Sequence, residues 1–263
     1  CVFLKFKNRY ILVDGSIRDA NPPKNIDYLI RKIINFFSDT IIANSNAGLI
    51  AHGAPKNKSI CIYNGFDFFR TDKSIKNTKI GYEIKTKHIV TMIGRVGNQK
   101  DFKSYIKMAC LTLQKNKNIT FLIIGDGDEL IEIKNLVPKH LFNHFIFTGN
   151  IQNVESYIKI TDVGILLTYT EGVPNTLMEF MSFQKPVIAS DSGGINELIL
   201  DNISGYIVPV GDYNTASEKL TYLLNNKTLR DRFGAKGREI ISSKFSLNTM
   251  INKYQNLYLK YIK

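Results

Sequence analysis

The chain has 263 residues, of which 44% are hydrophobic and 22% are charged, a composition that is typical of globular proteins and excludes fibrous and disordered classes. The formal net charge of +12 comes mostly from scattered lysines, and no nucleic-acid-binding motif accompanies them, so we expect no nucleic-acid partner. No apolar run approaches the ~20 residues that span a bilayer. The three cysteines are far apart and lack C-x-x-C spacing, which favours a reducing compartment over a disulfide scaffold or a zinc site.

Strand-like and helix-like segments alternate in the first part of the chain. Short apolar runs predict strands, and apolar residues at 3–4 spacing predict helices. Residues 66–87 then lack long apolar runs and carry lysines among polar neighbours, which is typical of a linker. The predicted elements are the strand Tyr10–Val13, the helix Ile26–Phe37, the strand Thr40–Ala43, a short helix Ala47–Ala51 and the strand Ser59–Tyr63.

A second and longer series of strands and helices begins at residue 88. Asp101 is predicted to cap the helix over residues 101–115. Alternation of this kind predicts an α/β fold in which a parallel sheet is covered by helices on both faces. The predicted strands are His88–Ile93, Ile119–Ile124, Phe145–Thr148, Val163–Leu167, Val187–Ala189 and Gly205–Val208, and the predicted helices are 101–115, Glu129–Val137, Val154–Ile158, Asn175–Phe183 and three stretches toward the C-terminus.

Two carboxylates flank a predicted helix start in this second series. Glu171 and Glu179 stand eight residues apart, and Pro174 immediately precedes the helix that begins at Asn175. Proline is well tolerated at such a start, and the unpaired backbone N–H groups of the first turn favour an anion, most often phosphate. A diphosphate with hydroxyl-rich groups on either side would fit this arrangement, as in a nucleotide-sugar. A glutamate pair alone is equally typical of a solvated helix face.

A guanidinium and an ammonium lie on the loop that follows the strand His88–Ile93. Arg95 and Lys100 belong to the stretch from Gly94 to Lys100. Arginine binds two phosphate oxygens with a planar fork, and lysine acts as a point charge. Two fixed cations at a strand end can therefore stabilise the charge that develops on a departing diphosphate.

These segments resemble the donor-site signature of the family-4 retaining glycosyltransferases. The family pattern is E-G-x-P-x-x-x-x-E-A-M followed by P-V-I-A-S-x-x-G-G-x-x-E, and it matches the chain from Glu171 to Glu197. Two positions depart from the family, because Phe180 replaces the usual alanine and Thr168 stands where serine is usual. The stretch 94–100 is similar to the family's G-R-x-x-x-x-K. Residues 41–45 resemble the family's strand-to-helix entry late in the N-terminal domain, and residues 60–67 resemble the V-x-x-N-G-V-D element at its domain crossover.

The resemblance implies a GT-B fold, in which two Rossmann-like domains face each other across a cleft. Residues 1–70 would be the C-terminal part of the N-terminal, acceptor-binding domain, and residues 71–87 the interdomain linker. Residues 88–245 would form a complete donor-binding domain with a doubly wound parallel sheet. The helix over 246–263 would pack back toward the N-terminal domain. We expect roughly the first hundred residues of the N-terminal domain to be absent from this chain.

The resemblance also implies roles for individual residues. Arg95 and Lys100 would stabilise the leaving diphosphate, Glu171 would accept a hydrogen bond from the transferred sugar, and Glu179 would accept one from the ribose. The remaining predicted donor-binding residues are Gly94, Gly172, Asn175 and Thr176. Gly193, Gly194 and Glu197 are predicted at the pocket floor, and Asp14 and Arg18 are candidates on the acceptor side that are as typical of ordinary loop residues.

No metal or other cofactor is expected. The D-x-D formed by Asp126 and Asp128 lacks a third ligand and resembles a turn of this family. His140 and His144 lack the glutamate of an H-E-x-x-H zinc motif.

The predicted activity is metal-independent sugar transfer, with retention, from a nucleotide-sugar to a glycan or lipid-linked acceptor. We expect a role in cell-surface polysaccharide or lipopolysaccharide synthesis in the cytoplasm. The basic surface suggests an anionic membrane surface as a partner, at the inner face of the plasma membrane. The alternatives that the sequence leaves open are a nucleotide-sugar epimerase, a glycan phosphorylase, and an inactive nucleotide-binding fragment.

Overall fold

The computed structural model describes residues 2–6, 9–17, 20, 26–69, 71 and 82–262. These residues form two sheets of different size. Most of the predicted linker, residues 72–81, lies outside the described residues. Among the described helices, none is both long enough and apolar enough to cross a bilayer.

The smaller sheet comprises the first four strands in the order β1-β2-β3-β4. Its strands β2, β3 and β4 are parallel, whereas β1 pairs antiparallel with β2. The sequence did not predict β1, and it predicted only part of β2, because Asp14 and Gly15 resemble a loop. The strands are β1 (Val2–Phe6), β2 (Arg9–Ile17), β3 (Thr40–Ala43) and β4 (Ser59–Cys61), with the helices α1 (Ile26–Phe37) and α2 (Asn46–Ala51) between them.

The larger sheet has six parallel strands in the order β10-β9-β8-β5-β6-β7. The predicted bounds of β5 and β6 are confirmed, because each is a continuous apolar run that the sheet buries on both faces. The strands are β5 (His88–Ile93), β6 (Ile119–Ile124), β7 (Phe145–Gly149), β8 (Val163–Leu166), β9 (Val187–Ser190) and β10 (Gly205–Val208).

Helices cover both faces of the larger sheet. Alternate strand residues separate two apolar clusters, so that Val90 and Phe121 face one helical layer while Leu122 and Leu166 face the other. Asp101 caps α3 as predicted, accepting a hydrogen bond from the Ser104 backbone N–H at 2.9 Å. The helices are α3 (Phe102–Lys115), α4 (Leu130–Asn135), α5 (Val154–Ile160), α6 (Asn175–Ser182), α7 (Ile195–Leu198), α8 (Tyr213–Asn225), α9 (Lys227–Lys244) and α10 (Leu247–Ile262).

Helix α10 returns from the larger sheet to the smaller one. Leu257 lies in an apolar cluster with Val13, Ile42 and Ile62, three residues of the N-terminal part. The crossover at Gly65 requires glycine, because a Cβ atom there would lie 2.7 Å from a backbone atom at the start of α10. The chain therefore joins the two sheets through an apolar contact as well as through the segment that connects them.

Gly164 and Phe180 fit together between β8 and α6. A Cβ atom built on Gly164 would lie 2.5 Å from the Phe180 ring, and Phe180 is fully buried. The bulky ring stands where the family resemblance implies alanine. The Phe180 ring fits there because Gly164 on β8 has no side chain.

We expect Gly164→Ala to destabilise the protein by about 1–3 kcal/mol, because the added methyl overlaps the ring. Phe180→Ala should cost about 3–5 kcal/mol through the cavity it leaves. In that second background the Gly164→Ala change should be neutral or stabilising, because its methyl enters the vacated space. Denaturant unfolding of the four proteins measures the coupling, and additivity to within about 0.5 kcal/mol would contradict the fitted pair.

Candidate functional site

The strand order of the larger sheet reverses between β5 and β8, and the loops that follow these two strands are joined there. The Asp101 backbone N–H donates to the Leu167 carbonyl at 2.9 Å, and the Tyr169 backbone N–H donates to the Gln99 carbonyl at 3.0 Å. The Thr168 hydroxyl also donates to Gln99, at 2.8 Å. Open parallel sheets bind ligands at such a reversal, beyond the carboxyl ends of the strands.

Lys100 and Glu171 form an ion pair at this reversal. Their side chains are only 16% and 18% exposed, so solvent screens the pair weakly. Burial lowers the pKa of the Lys100 ammonium to about 8, while the adjacent carboxylate opposes that shift by favouring the charged form. A phosphate that approaches Lys100 must therefore share it with Glu171 or displace the carboxylate.

Helix α6 begins beside this ion pair. Pro174 precedes it without a side-chain cap among the described residues, and the first helical hydrogen bond runs from the Met178 N–H to the Pro174 carbonyl at 3.4 Å. Asn175 is exposed, Thr176 is half-buried, and both precede that bond. Their backbone N–H groups thus belong to the helix start, the position that favours an anion.

A cleft of about 700 Å³ lies between the two sheets, in front of this helix start. Glu171, Asn175 and Glu179 line one wall, and residues of the smaller sheet and α10 line the other. The Asn64 amide reaches across and donates to the Asn175 side chain at 3.1 Å. Both walls of the cleft mix polar and apolar residues. The wall from the C-terminal part adds Val173, Pro174 and Met178, and the opposite wall includes Asn44, Asn64 and Asp67 beside apolar residues such as Ile17 and Ile42.

Arg95 pairs with Asp128 instead of joining the Lys100–Glu171 ion pair. Its guanidinium contacts Asp128 at 3.1 Å, and the Arg95 side chain is 78% exposed. Gly94 and Val96 of the same loop pack against Gly125 and Gly127, where added Cβ atoms would lie 2.0 Å and 2.1 Å from the Gly94 and Val96 carbonyl oxygens. The structure therefore pairs Lys100 with Glu171 and Arg95 with Asp128, and the two cations line one surface pocket.

The turn at Gly193 and Gly194 supports the loop that carries Glu171. The Gly194 backbone N–H donates to the Glu171 carbonyl at 3.1 Å. A Cβ atom on Gly193 would lie 1.9 Å from that same oxygen, and one on Gly194 would lie 2.6 Å from the Gly172 carbonyl oxygen. Gly172 is buried against this turn. The two glycines thus act by permitting close backbone approach, and they do not line the cleft.

Glu197 faces the N-terminal part of the molecule instead of the pocket floor. Its carboxylate accepts hydrogen bonds from the backbone N–H groups of Ala47 and Asn46 at 2.9 Å and 3.0 Å. The Asn46 side chain and the Tyr63 hydroxyl donate to it at 2.8 Å and 2.7 Å. The Glu197 carboxylate therefore caps the start of α2. This helix belongs to the N-terminal part, whereas Glu197 belongs to the C-terminal part.

Of the two acceptor-side candidates, the structure describes Asp14. Asp14 is 0% exposed and pairs with the Arg31 guanidinium of α1 at 2.7 Å. It is buried in the N-terminal part instead of facing the cleft, because an ion pair with a helix on the sheet holds its carboxylate. Arg18 lies outside the described residues.

No cluster of three or more His, Cys, Asp or Glu side chains suited to a metal occurs in the part of the chain that the structure describes. Asp128 pairs with Arg95, and the Asp126 carboxylate accepts from the Gly127 N–H at 2.8 Å. The Nδ1 atom of His144 lies 3.0 Å from the Ile119 carbonyl. These contacts account for the two motifs in structural terms.

Residues 41–47 and 60–65 supply contacts that the sequence did not predict. Asn46, Tyr63 and Asn64 bond to residues of the C-terminal part that lie between 111 and 151 positions away. No local periodicity or spacing connects them. The only signal in the sequence is the resemblance of residues 60–67, which include Asn64, to an element at the family's domain crossover.

The sequence profile of one protein family matches most of the C-terminal part. The family is described as Glycosyl transferases group 1, and the match covers residues 74–240. All the predicted catalytic and donor-binding residues fall within that range.

Two curated proteins of Staphylococcus aureus are similar to this chain. It is 24% identical over 252 residues to the capsular polysaccharide biosynthesis glycosyltransferase CapM, a match that covers 90% of this chain and 65% of CapM. It is 27% identical over 202 residues to the poly(ribitol-phosphate) alpha-N-acetylglucosaminyltransferase of strain COL, which covers 75% of this chain and 41% of that protein. The chain thus spans between about two fifths and two thirds of the length of these relatives.

Two solved structures are similar over nearly the whole chain. The Anabaena HepE protein in complex with UDP and glucose has a TM-score of 0.84 at 20% identity, covering 95% of this chain and 72% of that one. A mutant of S. aureus TarM in complex with fondaparinux, alpha-GlcNAc-glycerol and UDP has a TM-score of 0.78 at 24% identity, covering 94% and 50%. The likeness to these glycosyltransferases confirms the predicted GT-B fold class.

We expect Gly193→Ala to destabilise the protein more than Gly53→Ala. Both glycines have left-handed backbone, with φ of +56° and +60°, so alanine costs each about 1–2 kcal/mol. Only Gly193 adds an overlap, with the Glu171 carbonyl oxygen, since nothing lies within 4 Å of a Cβ atom on Gly53. That overlap should cost a further ~1–3 kcal/mol. Equal losses in free energy of unfolding, measured with denaturant, would show that the turn does not press on the Glu171 loop.

Proposed function

Because the chain belongs to the glycosyl transferases group 1, we propose that it forms the nucleotide-sugar-binding part of an enzyme that transfers a sugar to a glycan or a lipid-linked acceptor. One observation carries this proposal. Lys100 and Glu171 pair at the strand-order reversal, and Glu171 lines the same cleft as Pro174 and Asn175 at the open start of α6. A cation, a carboxylate and a row of backbone N–H groups in one place suit a diphosphate that carries a hydroxyl-rich sugar.

The proposed leaving group is a nucleoside diphosphate. Its negative charge grows as the bond to the sugar breaks, so groups that bind it more tightly then accelerate the reaction. Lys100 and the N–H groups of Asn175 and Thr176 are the donors proposed for this role. Arg95 would join them by leaving Asp128, which costs little because an exposed ion pair contributes about 0–1 kcal/mol. These cations and dipoles would stabilise the departing charge without a metal.

The two glutamates are proposed to bind opposite ends of the donor. Glu171 adjoins Lys100 and would accept a hydrogen bond from a hydroxyl of the transferred sugar. Glu179 lies one turn into α6 on the same cleft wall and would accept hydrogen bonds from the ribose. Carboxylates suit this task because each oxygen accepts from more than one hydroxyl.

Retention is proposed for the stereochemistry. The acceptor hydroxyl would attack from the face that the diphosphate leaves, with the departing phosphate taking its proton. A similar protein of Escherichia coli is named UDP-Gal:alpha-D-GlcNAc-diphosphoundecaprenol alpha-1,3-galactosyltransferase. UDP-galactose is itself an alpha-glycosyl diphosphate, so an alpha-linked product there is one of retention, which supports the same outcome here.

The acceptor is proposed to be a growing cell-surface polysaccharide, with capsule and lipopolysaccharide precursors as the candidate classes. The names of CapM and of the E. coli relative, which acts on a diphosphoundecaprenol-linked sugar, support this choice. A lipid-linked acceptor would hold the enzyme at the cytoplasmic side of the plasma membrane. The net charge of +12 supports such peripheral contact, since each Lys or Arg near an anionic surface contributes ~1 kcal/mol.

Titration of the chain with UDP by calorimetry, alongside ADP and GDP, tests the proposal. Glu179→Gln should weaken nucleoside diphosphate binding about tenfold, because the ribose loses a charged acceptor. Glu171→Gln should leave that affinity unchanged or raise it several-fold, because Lys100 is then released from its carboxylate. The control Glu218→Gln alters an exposed glutamate on α8 and should change nothing. Equal losses in both site variants, or no binding by the wild type, would contradict the proposed roles.

The affinity for UDP should fall as the pH rises through about 8. Lys100 has a pKa lowered to about 8 by burial, faces the Glu171 carboxylate, and must be charged to bind phosphate. The diphosphate itself is fully ionised above its second pKa of about 6, so binding at pH 9 should be about tenfold weaker than at pH 7. Lys100→Arg keeps its charge over this range and should give a flat profile. The same slope in that variant would assign the pH effect to another group.

A further inference from the structure

Glu197 links the two halves of the molecule through a single carboxylate. Its four hydrogen-bond donors lie on Ala47, Asn46 and Tyr63, all in the N-terminal part. Glu197 itself belongs to α7, which follows β9 of the larger sheet. Hydrogen bonds to a charged acceptor are about twice as strong as neutral ones. This group of contacts, which we term the Glu197 clasp, is therefore a strong polar contact between the sheets.

Surrounding groups keep the clasp charged and ordered. Burial alone would raise the pKa of Glu197, but the hydrogen bonds from Ala47, Asn46 and Tyr63 together outweigh burial and lower it. The Lys244 ammonium lies 4.8 Å from the centre of the Tyr63 ring and donates to the Glu197 backbone carbonyl at 2.9 Å. Lys253 lies over the same ring at 5.2 Å. The contact is thus built from several elements and does not depend on one exposed side chain.

The clasp is also connected to the loop that carries Glu171. Helix α7 begins at Ile195, immediately after the turn at Gly193 and Gly194. That turn donates a hydrogen bond to the Glu171 carbonyl, and it leaves no space for a side chain between the two backbones. A displacement of the Glu171 loop therefore moves the turn, and the turn moves α7 with Glu197. Packed backbone of this kind transmits small shifts because it cannot be compressed.

We propose that Glu197 is a positioning residue that couples occupancy of the nucleotide-sugar site to the placement of the N-terminal part across the cleft. This rests on the proposed function in one respect, namely that the ligand is a nucleoside diphosphate. When the phosphates bind Lys100, the Glu171 carboxylate leaves its ion pair and its loop shifts. The turn and α7 shift with it, and the clasp carries the start of α2 along. The acceptor side would thus be brought into place only when the donor is bound.

Backbone hydrogen exchange of the chain, with and without saturating UDP, tests the coupling. The amides of Asn46 and Ala47 donate directly to Glu197, so in Glu197→Gln they should exchange about tenfold faster without ligand. In the wild type, UDP should slow their exchange several-fold. In Glu197→Gln, UDP should bind with an affinity within about twofold of the wild type but should not protect α2, since the link is broken.

Two further variants serve as controls. Tyr63→Phe removes one of the four donors and should give an intermediate increase in exchange without ligand. Glu218→Gln carries the same chemical change on the exposed face of α8 and should behave as the wild type. A thermal unfolding midpoint for each protein confirms that the exchange is measured on folded chains.

Each outcome decides a different claim. Unchanged exchange of Asn46 and Ala47 in ligand-free Glu197→Gln would reject the clasp itself. Equal protection of α2 by UDP in the wild type and in that variant would reject the coupling while leaving the clasp. If the wild type binds neither UDP nor another nucleoside diphosphate, the proposed function fails and the coupling fails with it. The ligand-free comparison still decides whether Glu197 holds α2.

Discussion

The buried pair of Lys100 and Glu171 is the interaction on which the site depends. Under one fifth of each of these two charged side chains is exposed. Such a pair is stable only if the backbone holds the ammonium and the carboxylate in contact with good geometry. The backbone meets that requirement by bonding the loop after β5 to the loop after β8 at Gln99 and Asp101. Those two strands are neighbours because the strand order reverses there. Sheet topology, loop pairing and the ion pair are therefore consequences of one arrangement.

Much of the larger sheet could be predicted from the sequence because its strands are buried on both faces. β5 and β6 are short, mostly apolar runs with polar residues on either side, so their composition indicates their bounds. β2 was predicted only over Tyr10–Val13, since the charge of Asp14 and the small Gly15 are typical of a loop. The strand continues through them because Arg31, on a helix 17 residues away, neutralises the buried carboxylate. A long-range ion pair of this kind leaves no local signal.

In the site, too, local patterns could be predicted from the sequence and long-range contacts could not. Residues at strand ends are brought together by any parallel sheet, so the loop positions of Lys100 and Glu171 suggested a shared site. The orientation of the Arg95 side chain depends on its rotamer and on its ion pair with Asp128. The spacing of residues in the sequence predicts neither of these. Glu197 was expected at the pocket floor because it follows a glycine turn near the site. Its side chain instead meets donors about 150 positions earlier in the chain, which only the folded chain reveals.

Two of the contacts that join the halves differ in what opening them would cost. Helix α10 holds the smaller sheet through apolar burial of Leu257 among Val13, Ile42 and Ile62, and separating that contact would expose hydrocarbon to water. The Glu197 clasp is polar, and each of its groups can bond to water when it parts, so the net cost is small compared with the strength of the bonds. The apolar contact should therefore stay closed while the halves move, and the clasp carries the start of α2 as long as its four hydrogen bonds hold. Because the clasp stands next to the Glu171 loop, a shift at the donor site reaches the N-terminal part through this polar contact first.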